Sequence, residues 1–273
     1  MIKSLVVSCV ALAALVVHDT IAVHPIAQRA PRTESEIADR QRFLRYRQRL
    51  LAACSNSDAG RELREQSNHL IAAKLEELRA SRRRLDAVTV LTTTHKTNLT
   101  DVSVNTYPEY LFGDDDSVKC VLAPETTQTS FYVKGELYRQ DITEDQAGVS
   151  LSTELQFIDV NTCTPVSDLW IDLWHANAAG VYSTDSYGLA GFTSIFPGHY
   201  EGRAPHIDIV ATYGGTYQNN NTYAGGSTIH AGELFFDQDL ITETENISAY
   251  ASNDQNLTLN KFDEARGGDS FRV

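Results

Sequence analysis

Residues 169–210 read LWIDLWHANAAGVYSTDSYGLAGFTSIFPGHYEGRAPHIDIV, and the two ends of this stretch set the fold class. Ile171 and Leu173 alternate with Asp172 and Trp174, and Ile207 and Ile209 alternate with His206 and Asp208. A period of two marks a strand with one apolar face. It puts His206 and Asp208 on the same face of one strand, roughly 6.5 to 7 Å apart along it. Between the strands come two phenols, Tyr182 and Tyr200. All four side chains can ligate a hard metal through oxygen or nitrogen, provided that loops bring them together. Taken singly, each has a plainer role, since a polar strand face is ordinarily solvated and a Tyr beside Pro-Gly ordinarily packs a turn.

Working outward, residues 149–160 form a long alternating run and 137–142 a shorter one, both predicted as strands. A turn at 161–168 leads into a strand at Leu169–His175. Residues 213–226, rich in Gly, Asn and Tyr, read as a long loop, 233–236 as a further strand, and 243–273 as polar and mostly irregular. Short strands punctuated by Gly, Asn and Pro indicate a mostly β chain folded as a sandwich over residues 120–273.

Upstream the pattern is helical. Phe43, Tyr46, Leu50 and Cys54 make one apolar stripe, residues 56–60 break it, and Ile71, Leu75, Leu78 and Leu85 make a second. An Arg-rich helical hairpin is therefore expected over residues 23–86, with a Thr-, Asn- and Asp-rich linker at 87–119. Residues 1–22 have the form of a secretory signal peptide: Lys3, an apolar run too short to span a bilayer, and a small-residue site ending at Ala22. With N-x-S/T sequons at Asn98, Asn220, Asn246 and Asn256, this predicts a secreted, extracellular glycoprotein with no membrane span.

Charge divides the chain. Residues 1–85 carry 15 Lys and Arg against 9 Asp and Glu, whereas residues 86–273 carry 8 against 27. The acidic main domain argues against nucleic-acid binding. The basic segment could dock on that domain, a partner or an anionic surface. After removal of Cys9 with the leader, Cys54, Cys120 and Cys163 remain. One disulfide is expected in an oxidising compartment, with Cys120–Cys163 as the guess. Cys54 would then be free or pair between chains, which together with the hairpin suggests a homodimer.

The segments WHANAAGVYS and FTSIFPGHYEGRAPHID together resemble the active-site core of the intradiol ring-cleavage dioxygenases, the catechol and protocatechuate type. The closer similarity is to secreted, single-domain members found in fungi and similar eukaryotes, and it runs from about residue 34 to about 263. The resemblance implies an intradiol-dioxygenase-like β-sandwich preceded by a helical hairpin. It also implies a non-haem Fe(III) cofactor, with catechol-type substrates and O2 as partners. Tyr182 in GVYS and Tyr200 in PGHY take the positions of the two tyrosinates, and His206 that of the first histidine. Arg203 matches the Arg that steadies negative charge on the reacting ring, which makes it a candidate catalytic residue.

Four differences gather on the same pocket. The second histidine of the pattern HIH is Asp208, and the Gln of GQLFF is Glu233, a candidate catalytic position now carrying a carboxylate. A longer segment that follows Ser183 in the family is missing, and the approach Gly-Pro-Tyr-Tyr reads Thr129-Ser130-Phe131-Tyr132. Extra negative charge beside an Fe(III) weakens its pull on a dianionic catechol. The alternative expectation is a catalytically inactive relative that binds phenolics or a protein partner. A third is a different metal, such as Mn(II) or Fe(II), in an oxygen-rich site.

Overall fold

The computed structural model of the chain describes residues 10–15, individual positions between 35 and 56, and residues 57–81, 120–124, 131–176 and 178–263. The expected linker at 87–119 lies outside the described residues. In chain order the elements are β1 (Val10–Leu15), α1 (Asp58–Ser81), β2 (Cys120–Pro124), β3 (Ser150–Asp159) and β4 (Thr164–Pro165). Next come β5 (Leu169–His175), β6 (Ala178–Ser183), β7 (Leu189–Ile195), β8 (His206–Tyr213), β9 (Thr216–Tyr217), β10 (Tyr223–Ala224) and β11 (Ser227–Phe236). A short helix α2 (Gln238–Glu245) and a 3-10 turn (Asn260–Phe262) close the described chain.

The strands make a mostly antiparallel sandwich, as the alternation predicts. One sheet has the order β2-β11-β8-β5-β6, and the other joins β1, β3 and β4 with β7 on β3. Leu151, Leu155 and Phe157 of β3 and Phe192 of β7 face Ile171 and Leu173 of β5, Ile207 and Ile209 of β8, and Leu234 and Phe236 of β11. All ten are 2% exposed or less. Each such side chain contributes about 1.5–3 kcal/mol on burial, so this layer is where the fold gets its stability.

The other face of the five-stranded sheet carries the polar residues. On β8 the register sets Asp208 opposite Glu233 of β11 on one side and opposite Trp174 of β5 on the other. His206 lies opposite Phe235, and Val210 opposite Asp172. Residues 131–142 begin on this face, with Tyr132 on Trp174, and pass along the β6 edge, where the Arg139 amide donates to the Val181 carbonyl, to β7 of the other sheet. Gly180 lets the segment pass, because a Cβ there would stand 2.5 Å from Ile142 Cγ2. Covered on both sides, β8 is buried along almost its whole length.

Several expectations need correction. Residues 137–142 form no regular strand: Leu137, Tyr138 and Asp141 bridge three different partners, Thr222, Val181 and Thr193, so no ladder can propagate. The loop at 213–226 contains the small hairpin of β9 and β10. The helix α2 was not foreseen, although Asp237 caps it by accepting from the Leu240 amide. These corrections apart, Val10–Leu15 forms β1, which lies parallel to β3 with Val10 opposite Glu154.

The disulfide also differs from the guess. Cys163 bridges Cys54, not Cys120, with Cα atoms 5.4 Å apart. Cys120 begins β2 in one sheet, whereas Cys163 follows β3 in the other, so the sandwich separates them. Cys54 instead belongs to the helical N-terminal segment, whose Leu63 packs with Ile158 and Val160. The basic segment thus docks on the acidic domain. Replacing Cys54 or Cys163 by Ser opens a loop of 109 residues. The expected loss is about 4 kcal/mol, seen as a thermal midpoint lower by about 10 °C. An unchanged midpoint would show that the bridge constrains nothing.

Candidate metal centre and its cleft

The site begins with a turn. Gly202 has φ +93°, and the Arg203 amide donates to the Tyr200 carbonyl, the pattern of a type II turn that needs Gly at its third position. The turn brings Tyr200 and Arg203 onto the end of β8. There the Tyr200 hydroxyl and Asp208 Oδ2 each lie 3.5 Å from His206 Nε2. His206, Asp208 and Glu233, all buried, each present a donor atom within 4.8 Å of the others. The His206 Nδ1–H donates to the Ala204 carbonyl at 2.6 Å, leaving the Nε2 lone pair facing the group.

Arg203 holds this arrangement from behind. Its Nη2 donates to Glu233 Oε2 at 2.7 Å, and its Nε donates to both oxygens of Asp263 at 3.1 and 3.2 Å. Asp263, fully buried, also accepts from the Ala204 amide. Burial lowers the affinity of His206 for a proton, but the hydrogen bond to Asp208 and its charge outweigh this and leave the imidazole above its ordinary value. Burial pushes the Glu233 carboxyl up against the opposing charge of Arg203. Burial also raises the Tyr200 phenol to about 12, so it stays neutral until a cation arrives. Three buried carboxyls around one guanidinium leave a net negative pocket that a multivalent cation would balance.

In front of this group lies a cleft of about 570 Å³, lined by Tyr200, His206 and Asp208 and walled by Phe131, Tyr132 and Trp174. Arg203 and Glu233 are not among its lining residues. Arg203 thus stands behind the group, while Glu233 presents its carboxyl to His206 and Asp208. His175 lines the cleft with its Nε2 2.6 Å from Ser194 Oγ, and burial lowers its imidazole to about 4.

Tyr182 is not part of the group. It lies opposite Ile171 on the core face of β6, stacked on Tyr138 with ring centroids 5.0 Å apart. Asp208 lies opposite Trp174, on the other face of the same sheet. The structure thus brings together Tyr200, His206, Asp208 and Glu233, with Arg203 behind, and leaves Tyr182 apart. Sequence reading missed Asp263, which sits in a polar tail with no periodic signal, and Asp172, which looked like an ordinary outward strand residue.

No protein-family model and no curated protein matches the chain. Solved structures do. The intradiol ring-cleavage dioxygenase from Tetranychus urticae is 23% identical, with 56% of this chain and 84% of that one covered and a TM-score of 0.48. The dioxygenase Tetur07g02040 is 24% identical over 53% and 79% of the two chains, with a TM-score of 0.45. Hydroxyquinol 1,2-dioxygenase from Pseudomonas putida DLL-E4 is 16% identical over 72% and 65%, with a TM-score of 0.29. All three are dioxygenases. At these identities and scores nothing about function passes from them to this chain, and the functional reading rests on its own residues.

Arg203→Leu strands Glu233 and Asp263 as buried, uncompensated carboxylates. It should cost about 3–5 kcal/mol in denaturant unfolding, and Glu233→Gln in the same chain should restore part of it. Equal stabilities of the single variant and the parent would contradict this picture. Asp172, at the cleft floor, has its carboxyl raised to about 7, first by burial. The folded chain therefore binds a proton that the unfolded chain releases near pH 4, and this contribution to stability is lost as pH rises from about 4 through 7. Asp172→Asn should remove that part of the slope, and parallel pH–stability profiles for parent and variant would refute it.

Proposed function

We propose that the chain is a ring-cleavage dioxygenase of the intradiol type, acting on catechol-type aromatics with O2 at a non-haem Fe(III). The convergence of Tyr200, His206, Asp208 and Glu233 at an aromatic-walled cleft carries this reading. The donor set of phenol, imidazole and two carboxyls suits a hard cation of high charge. The volume is in the range that encloses one small ligand. When bound, Fe(III) supplies the Lewis acidity that activates a catechol towards O2, and cleavage between the two oxygenated carbons gives a cis,cis-muconate-type diacid.

The chain's own groups have distinct tasks. Tyr200 gives up its proton in the field of the cation. His206 is held by Ala204 with Nε2 inward. Phe131, Tyr132 and Trp174 seat the ring and exclude water. Arg203 fixes Glu233 and takes up part of its charge. In this reading Tyr182 is not a ligand, which leaves one phenolate where the resemblance implies two. That difference, with the added carboxylate of Asp208, favours as second reading a relative that binds phenolics without cleaving them. We further place the protein outside the cell. This rests on the leader-like residues 1–22 and on the exposure of the sequon residues Asn220, Asn246 and Asn256.

The test is Fe(III) titration of protein purified from culture medium, followed by visible absorption and O2 uptake with catechol. A tyrosinate charge-transfer band should appear and one O2 be consumed per ring. Tyr200→Phe should lose the band and weaken iron binding by more than about a hundredfold, beyond what loss of an outer-shell partner costs, while Tyr182→Phe keeps both. A band that survives Tyr200→Phe and vanishes in Tyr182→Phe would overturn the ligand set. Iron binding without O2 uptake would favour the second reading.

A further inference from the structure

The cleft continues beyond the ligand cluster to Asp172, which lines it although only 1% exposed. Asp172 Oδ2 accepts from the Tyr223 hydroxyl, and Oδ1 has no hydrogen-bond partner. On the shared outer face of the sheet, Asp172 pairs with Val210, two residues from Asp208. The two carboxyls are thus diagonal neighbours, with backbones roughly 7–8 Å apart. Glu136 lines the same end and acts on Asp172 through its charge. The rings of Tyr132 and Trp174, with centroids 5.2 Å apart, line the same cleft, and Trp174 lies two residues from Asp172 on the same face of β5 and opposite Asp208. The remaining charged lining residues here, Arg139 and Glu144, pair with each other, and Arg139 Nη2 also donates to the Ala179 carbonyl. This end of the cleft therefore offers an unpartnered carboxyl oxygen, a second carboxyl and two aromatic faces.

We propose that it is a subsite for a cationic substituent on the phenolic ring, an amine, with Asp172 as its hydrogen-bond acceptor and Trp174 and Tyr132 as its walls. The proposal rests on the phenolic reading above for the ring itself. An ammonium group donates to Asp172 Oδ1, and its charge is attracted to the aromatic faces. At pH 8, where Asp172 is ionised, a carboxylate in the same place meets Asp172 and Glu136, and like charges in a half-buried site repel strongly, so the titrations below are made at that pH. The subsite thus sets specificity: amine-bearing phenols and catechols bind in preference to their carboxylated counterparts.

Tyramine and 4-hydroxyphenylacetate carry these opposite charges on the same phenol and need neither iron nor ring cleavage to bind. Calorimetric titration of the full chain without added iron should show tyramine at least about tenfold tighter. Asp172→Asn, which keeps an acceptor for Tyr223, should bring the two ligands within about threefold of each other. Glu136→Gln, on a partly exposed side chain, should weaken tyramine a few-fold and guards against a folding defect in the first variant. Equal affinities, no tyramine binding at millimolar concentration, or tighter binding of the carboxylate through Arg139 and Trp174 would each overturn the proposal. Failure of the dioxygenase reading shows separately, as absent O2 uptake with the tyramine preference intact.

Discussion

Arg203 is shared between two buried carboxylates, Glu233 and Asp263, and the site depends on that sharing. One guanidinium ties the turn at Tyr200–Arg203, strand β11 and the tail after the 3-10 turn into a single unit. Two charges buried at this depth are costly unless paired and hydrogen-bonded, and here both are. The same arrangement presets the metal group. Glu233 is held opposite Asp208, Ala204 is fixed by Asp263, and Ala204 in turn orients His206. Tyr200, His206 and Asp208 then face the cleft.

Much of this was legible in the sequence, because the signal was periodic. Alternation over 169–175 and 206–210 gave the strands and put His206 and Asp208 on one face. What escaped had no period. The segment 137–142 looks like a strand, but it changes partner every one to three residues. Asp263 lies in a polar tail where nothing distinguishes a buried anchor from a solvated acid. The bridge from Cys54 to Cys163 depends on which sheet each Cys adjoins, and spacing does not encode that. Tyr182 is the most instructive case. Its place in GVYS suggests a ligand, but pairing with Ile171 turns it to the core face, and a strand period of two allows no compromise between faces.

The departures of the sequence from the pattern it resembles become coherent once placed in space. Glu233 in place of Gln adds a carboxylate where Arg203 can absorb it. In the reading proposed above, Asp208 in place of His supplies an anionic oxygen where one phenol is absent. Tyr200, Asp208 and Glu233 would then bring three negative charges to the cation where the pattern has two, and Arg203 offsets one of them. Beyond it the cleft is acidic and aromatic, in keeping with residues 86–273, which carry 27 acidic residues against 8 basic ones.

The most direct test of this account is an iron-edge anomalous difference map from crystals of the protein loaded with Fe(III). The account predicts a single strong peak bounded by Tyr200, His206, Asp208 and Glu233, with Tyr182 still on the far face of the sheet. A peak that has drawn Tyr182 through to the metal, or no peak at this cluster, would contradict it.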